Sequence, residues 1–233
     1  GTGEITAMAQ NRKWGRSGVG YTTVNYNAPV SANGTVGFQA GSTFKAFTIG
    51  AAFKMGWDPF KVINAPAKKE FKDFRECGTG DKFAPYSVRN STGSGAFDIF
   101  SGAAFSVNTY FVGLEEKIGL CEPLAIAKAS GVQQGDGQDF AGYPCFTLGC
   151  FDVTTLDLTE GMATFAAHGV HCNSIAISAI TDRYGNELEV PAANCMQKID
   201  VEVADSTTAV LAGVISGPLG GRTGRAMYFD RPA

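Results

Sequence analysis

The sequence predicts an α+β fold, a helical cluster packed on a terminal antiparallel sheet, and the chain reads as incomplete at both ends. Segments with apolar residues at helical spacing fill the middle of the chain and outnumber those with strand alternation, which sit near the ends. The 30 glycines, several standing just past a helical pattern, supply many turns. A length of 233 residues suits one domain spanning 1–233.

Taken in order, "GEITAMAQ" (3–10) alternates as a strand does, and residues 11–40, rich in Gly, Asn and Pro, form an extended approach loop. A helix follows from Ser42 to Met55: Phe47, Ala51 and Met55 share one face and Gly56 stops it. "WDP" turns the chain, and 60–91 hold short strand pieces, "KVINAP", "KEFKDF" and "YSVRN", around a "CGTGD" loop. From Ala96 a second helical region runs to Gly119 with a break near Ser106. "CEPLAIAKASG" is a short helix with Pro123 in its first turn and Gly131 beyond its end. After a loop at 132–153 comes "TTLDLTEGMATFAAHG", capped by Thr154 or Thr155, favoured by Asp157 and Glu160 near its start, and closed by Gly169. "SIAISAITD" and "ELEV" make a hairpin through "RYGN". The last helix, "DSTTAVLAGVISG", is expected to start at a cap, Asp205 or Ser206.

Composition narrows function by exclusion. Net charge is −3 with no basic cluster, so nucleic acid and anionic membrane surfaces are poor electrostatic partners. No run reaches the length of a membrane span, and the opening residues look cut from the middle of a longer protein. The six cysteines lack metal-ligand spacing and only His168 and His171 accompany them, so no metal is expected. An even cysteine count favours disulfides and an oxidising compartment. Cys172 and Cys195 flank the hairpin and are the preferred pair; buried free thiols are the alternative. His168 and His171 read as structural at a helix end. Glu115, Glu116 and Lys117 read as a solvated charged face.

One segment carries chemistry. "GFQAGSTFKAFTIGAAFKMG" places Ser42 and Lys45 three residues apart at the start of a strongly apolar helix. Residues i and i+3 share a helix face, so the amine lies over the hydroxyl one turn back. A serine hydroxyl needs a base to act as a nucleophile, and a lysine becomes one when burial lowers its pKa. Phe44 and Phe47 are candidates for the apolar wall. The N–H groups at a helix start suit an oxyanion. The alternative reading is an N-cap serine beside a snorkelling lysine. The second candidate is "FSVNTYF", where a break lets Ser106 and Asn108 face one cleft. There Ser106 can relay a proton and Asn108 can hold a substrate amide; taken alone, the favoured reading is that Asn108 merely caps a helix.

The order S-x-x-K, then S-x-N, resembles the penicillin-binding protein and serine β-lactamase superfamily. The resemblance extends along most of the chain. "GEITAMA" is similar to the strand that opens penicillin-binding transpeptidase domains, "FQAGSTFKAFT" to their nucleophile segment, and "SVNTYFVGLEEKIG" to their second motif and its helix. "VTTLDLTEGMATFAAHGVHC" and "GRTGRAMYFDRPA" resemble the later helix and the stretch before the third motif. The resemblance implies a serine D,D-transpeptidase that cross-links peptidoglycan stem peptides, needs no cofactor and is acylated by β-lactam antibiotics. It implies an extracytoplasmic site of action and a membrane anchor in a segment outside this chain. Carried over by position, Ser42 is the nucleophile and its backbone N–H an oxyanion donor, Lys45 the base, Ser106 the proton shuttle and Asn108 the substrate-binding amide. The rival readings are a β-lactamase or D,D-carboxypeptidase of the same superfamily, and an inactive envelope protein that binds partners.

The sequence departs from the family pattern at its end. The third motif, Lys-Thr-Gly, is absent from the 233 residues. "RTG" at Arg222–Gly224 falls, by resemblance, in the approach to that motif, which would follow directly after "DRPA".

Overall fold

A computed structural model describes residues 2–216, and it is α+β. Arg222–Gly224 and the "DRPA" segment lie outside the described residues. The core is built round helix α1 (Lys45–Lys54), whose residues Lys45 through Ala52 are all buried. A helix buried on every side must let its neighbours close in, and Gly50 does this. A Cβ there would stand 3.2 Å from Ile126 Cγ2 and 3.3 Å from Phe165 Cε1, so the helices that carry Ile126 and Phe165 seat against bare backbone.

Five further helices surround it: α2 (Ile99–Ala104), α3 (Asn108–Ile118), α4 (Cys121–Ala129), α5 (Thr155–Ala166) and α6 (Val201–Ser216). α1 packs on α3, α4 and α6, and α6 also crosses α2 and α5. The α2 start is a capping box: Asp98 accepts from the Ser101 N–H at 2.8 Å, and Ser101 Oγ accepts from the Asp98 N–H. Thr154 caps α5, its hydroxyl accepting from the Asp157 N–H at 3.1 Å. α6 begins at Val201, ahead of the expected cap at Asp205 or Ser206. Val203 and Ala204 continue the apolar face of Val210, Leu211 and Val214, so burial extends the helix upstream past those polar residues. Asp205 instead meets His168 at 2.6 Å.

The strands of the described residues form six two-stranded pairs. Two of them position the site. Ile63–Ala65 pairs antiparallel with Gly95–Phe97, and Lys68–Phe71 with Tyr86–Arg89. The second pair covers a small satellite core of Phe71, Phe74, Val88, Val112 and Leu120. Phe38–Gln39 pairs with Asp152–Val153 just before the Ser42–Lys45 segment. The N-terminal segment, expected as a strand over 3–10, makes one parallel bridge, Glu4 to Ile175, and its far end is held by hydrogen bonds of Ala9 and Gln10 to residues 24–27. All six cysteines are joined, as Cys77–Cys121, Cys145–Cys150 and Cys172–Cys195. No helix among the described residues is long and apolar enough to cross a membrane.

Candidate active site

The S-x-x-K segment is not one continuous α-helix. Gly41–Phe44 is a 3-10 turn, and α1 starts only at Lys45. Gly41 takes φ +60, and its N–H donates to the Gly149 carbonyl at 3.1 Å. That contact is so close that a Cβ on Gly149 would fall 2.1 Å from the Gly41 oxygen. Ala40 N–H donates to Phe151 O at 3.2 Å. The segment leading into Ser42 is thus pinned on both sides of Cys150, and below it Phe44 packs edge-on against Phe47 and Phe140. Ser42 itself stays half-buried and reachable.

Ser106 and Asn108 arrive from the α2–α3 junction. Ser106 is one of few non-glycine residues with positive φ, at 51. That conformation is costly for a residue with a Cβ, and it persists because the junction is fastened on both sides. Ser106 N–H donates to Ala103 O and Val107 N–H to Gly102 O, and the ring of Tyr110 fills the space a Gly102 side chain would need. The break turns Ser106 and Asn108 toward α1.

They meet Lys45. Its Nζ lies 3.1 Å from Ser42 Oγ, 2.8 Å from both Ser106 Oγ and the Ser106 carbonyl, and 2.8 Å from Asn108 Oδ1. Lys45 is 0% exposed and Ser106 6%. The aromatic ring over the amine is Phe111, at 5.4 Å, from α3. Phe44 and Phe47, expected to wall the amine, pack in the aromatic cluster beneath it. Burial lowers the Lys45 pKa from 10.5 to about 7. Hydrogen-bond bookkeeping agrees. An ammonium has three N–H donors and four oxygens surround it, two of which, the Ser106 carbonyl and Asn108 Oδ1, can only accept. A neutral amine can give its two N–H groups to these and turn its one lone pair to a hydroxyl, that of Ser42 or of Ser106.

Several supporting residues escaped sequence reasoning. Asn108 Nδ2 donates to the Arg89 carbonyl at 3.0 Å, which fixes the amide with its oxygen toward Lys45 and leaves its second N–H unused. Asn90 caps α3 from outside, its Oδ1 accepting from Thr109 N–H at 2.8 Å, while Thr109 Oγ1 donates to Pro66 O. These are non-local contacts with no sequence spacing to announce them. Glu115 requires a correction: it is not solvated but 0% exposed, accepting from Thr147 N–H at 3.0 Å. Glu116 is half-buried and accepts from the N–H groups of Lys72 and Asp73, so only Lys117 faces water. Phe111, Glu115 and Ile118 stand at i, i+4 and i+7, which places Glu115 on the buried stripe. His171 lies between Thr164 and Glu160, and neither it nor His168 touches the site. No group of residues suited to a metal occurs among those described.

Penicillin-binding protein A from M. tuberculosis, in its imipenem acyl-enzyme complex, superposes with a TM-score of 0.61 at 19% identity, over 77% of this chain and 44% of that one. PonA1 from the same organism, in complex with penicillin V, gives 0.61 at 24% identity, over 78% and 49%. These likenesses concern the fold. The family follows from sequence: the chain belongs to the penicillin binding protein transpeptidase domain family, whose model matches residues 1–232. Relatives include penicillin-binding protein 1A of Aquifex aeolicus, 26% identical over 99% of this chain, and penicillin-binding protein 2D of Bacillus subtilis, 22% identical over 95%. The chain spans 28% and 29% of those two proteins.

Proposed function

We propose that this chain is the acyl-transfer unit of a serine D,D-transpeptidase that cross-links peptidoglycan stem peptides and is acylated by β-lactams at Ser42. One observation carries the reading. A fully buried amine with no carboxylate beside it stands within hydrogen-bond reach of two hydroxyls, Ser42 Oγ and Ser106 Oγ. Core packing does not call for a lysine there, whereas a base does.

In this mechanism Ser42 Oγ attacks the carbonyl of the penultimate D-Ala as Lys45 Nζ takes its proton. The Ser42 N–H, at the start of the 3-10 turn, donates to the oxyanion. The C–N bond breaks, and terminal D-Ala leaves with a proton passed from Lys45 through Ser106 Oγ. An amine of a neighbouring stem then attacks the ester, returns a proton by the same route and frees Ser42. The spare N–H of Asn108 holds the donor's backbone. Three disulfides and a peptidoglycan substrate agree with action on the extracytoplasmic face of the cell membrane, with anchoring by a segment outside these residues.

The test is intact mass after incubation with benzylpenicillin. A β-lactam's leaving nitrogen stays tethered, so the expected gain is one whole penicillin, absent in Ser42→Ala. A chain that gains no mass is not an acyl-transfer unit and fits the inactive, partner-binding reading. Rapid loss of the adduct to water points to a β-lactamase.

A further inference from the structure

The hairpin that abuts Asn108 carries a pair of cations which folding does not explain. Lys68 and Arg89 are direct cross-strand partners, and both are exposed. Like charges facing each other across a strand pair destabilise it. Other cations near this hairpin are neutralised or covered: Lys72 pairs with Glu70 at 3.0 Å, Lys82 with Asp73 at 3.3 Å, and Lys69 lies over the Phe71 ring. Lys68 and Arg89 have no ion pair and no side-chain hydrogen bond among the described residues. Their end of the hairpin is the one bolted to the site. Arg89 gives its carbonyl to Asn108, Asn90 caps α3, and Pro66 O receives Thr109 and Asn90. Two uncompensated positive charges therefore stand on the strand pair whose end meets Asn108, on a chain whose net charge is −3.

Resting on the acyl-transfer reading above, we propose that Lys68 and Arg89 form a carboxylate clamp at the rim of the site. It selects acyl donors with an acidic group about two extended residues, ~7 Å, upstream of the reacting carbonyl. The guanidinium can meet a carboxylate with two parallel N–H bonds, and the ammonium completes its neutralisation. The like-charge cost borne by the free hairpin is relieved when the anion arrives.

The experiment compares acylation of the chain by benzylpenicillin and by carbenicillin, which differs by a carboxylate on its side chain. The ratio of second-order rates, carbenicillin over benzylpenicillin, is the readout, so a general loss of activity cancels. In the double variant Lys68→Gln/Arg89→Gln the ratio is expected to fall about three- to tenfold, the scale of two exposed ion pairs. Arg89→Glu lowers it further, and raising salt from low to high ionic strength narrows the wild-type preference. An unchanged ratio with normal adducts on both ligands overturns the clamp and leaves the acyl-transfer reading standing. Absence of any adduct on the wild type overturns both.

Discussion

Among the described residues Lys45 and Glu115 are a lysine and a carboxylic acid that are both wholly buried in the core, and their surroundings differ. Burial drives both toward the neutral form: it lowers the Lys45 pKa to about 7 and raises that of Glu115 well above 4.5. Around Lys45 four oxygens converge, two of them hydroxyls that can exchange a proton with it. Glu115 has one partner, the Thr147 N–H, and its Oε2 has none. Thr147 in turn meets Thr48 of α1 through their hydroxyls at 2.8 Å, so Glu115 ties α3 to α1 through the turn behind the nucleophile. The same desolvation leaves an amine suited to act as a base at one place and a fastening at the other. The neighbours decide which, and so removing each residue should fail in a different way.

Lys45→Ala has the largest expected effect on chemistry. Without the base, acylation by benzylpenicillin falls by about 10²–10⁴-fold, while the fold, read by circular dichroism, persists. Stopped-flow or mass-resolved acylation checks this, and an unchanged rate removes Lys45 as the base. Glu115→Ala should do the reverse. It strands the buried Thr147 N–H and opens a cavity, at a cost on the order of 2–4 kcal/mol. That is a drop of several degrees in Tm for a chain of this size. Acylation per folded molecule, measured well below the transition, should change far less than in Lys45→Ala. If it falls as far, the contrast between the two groups is wrong.

How much of this was legible in the sequence follows from distance along the chain. Ser42 and Lys45 are three apart, and local geometry alone brings them together, though as a 3-10 turn running into α1 rather than one helix. Ser106 and Asn108 were legible as a break, because an apolar pattern interrupted by Ser-x-Asn has to turn. That the break aims them at Lys45 depends on a left-handed Ser106, which no propensity announces. Asn90 and the Arg89 carbonyl act through contacts 19 residues away, and main-chain acceptors leave no mark on side-chain patterns. Glu115 was misread because adjacent acidic residues suggest solvent, although its place on the Phe111–Ile118 stripe already pointed inward. The even cysteine count favoured disulfides, but only the hairpin pair, Cys172 and Cys195, stood out from spacing.

pH sharpens the comparison with a smaller effect. If Lys45 is the base proposed above, its free amine is the reactive form, and acylation should rise about tenfold between pH 6 and pH 8, with an apparent pKa of about 7. A flat profile over that range means the amine is already neutral at pH 6, or is not the base.

The smallest effect belongs to Glu115→Gln, where the signs of linkage oppose each other. The folded pKa of Lys45 lies below its unfolded value, so the folded state binds fewer protons between pH 7 and 10.5 and this group's contribution to stability rises with pH across that window. The folded pKa of Glu115 lies above its unfolded value, so its contribution is fully present below about pH 4.5 and is lost as pH climbs toward the raised folded value. Gln keeps an oxygen for Thr147 N–H and has no proton to lose. Near pH 4.5, then, Glu115→Gln should differ from wild type by less than ~1 kcal/mol. The difference should grow in the variant's favour as pH rises, in urea melts run at matched ionic strength. A variant that instead loses ground with rising pH would show that Glu115 is held as a carboxylate, and that a cation reaches it in the folded chain.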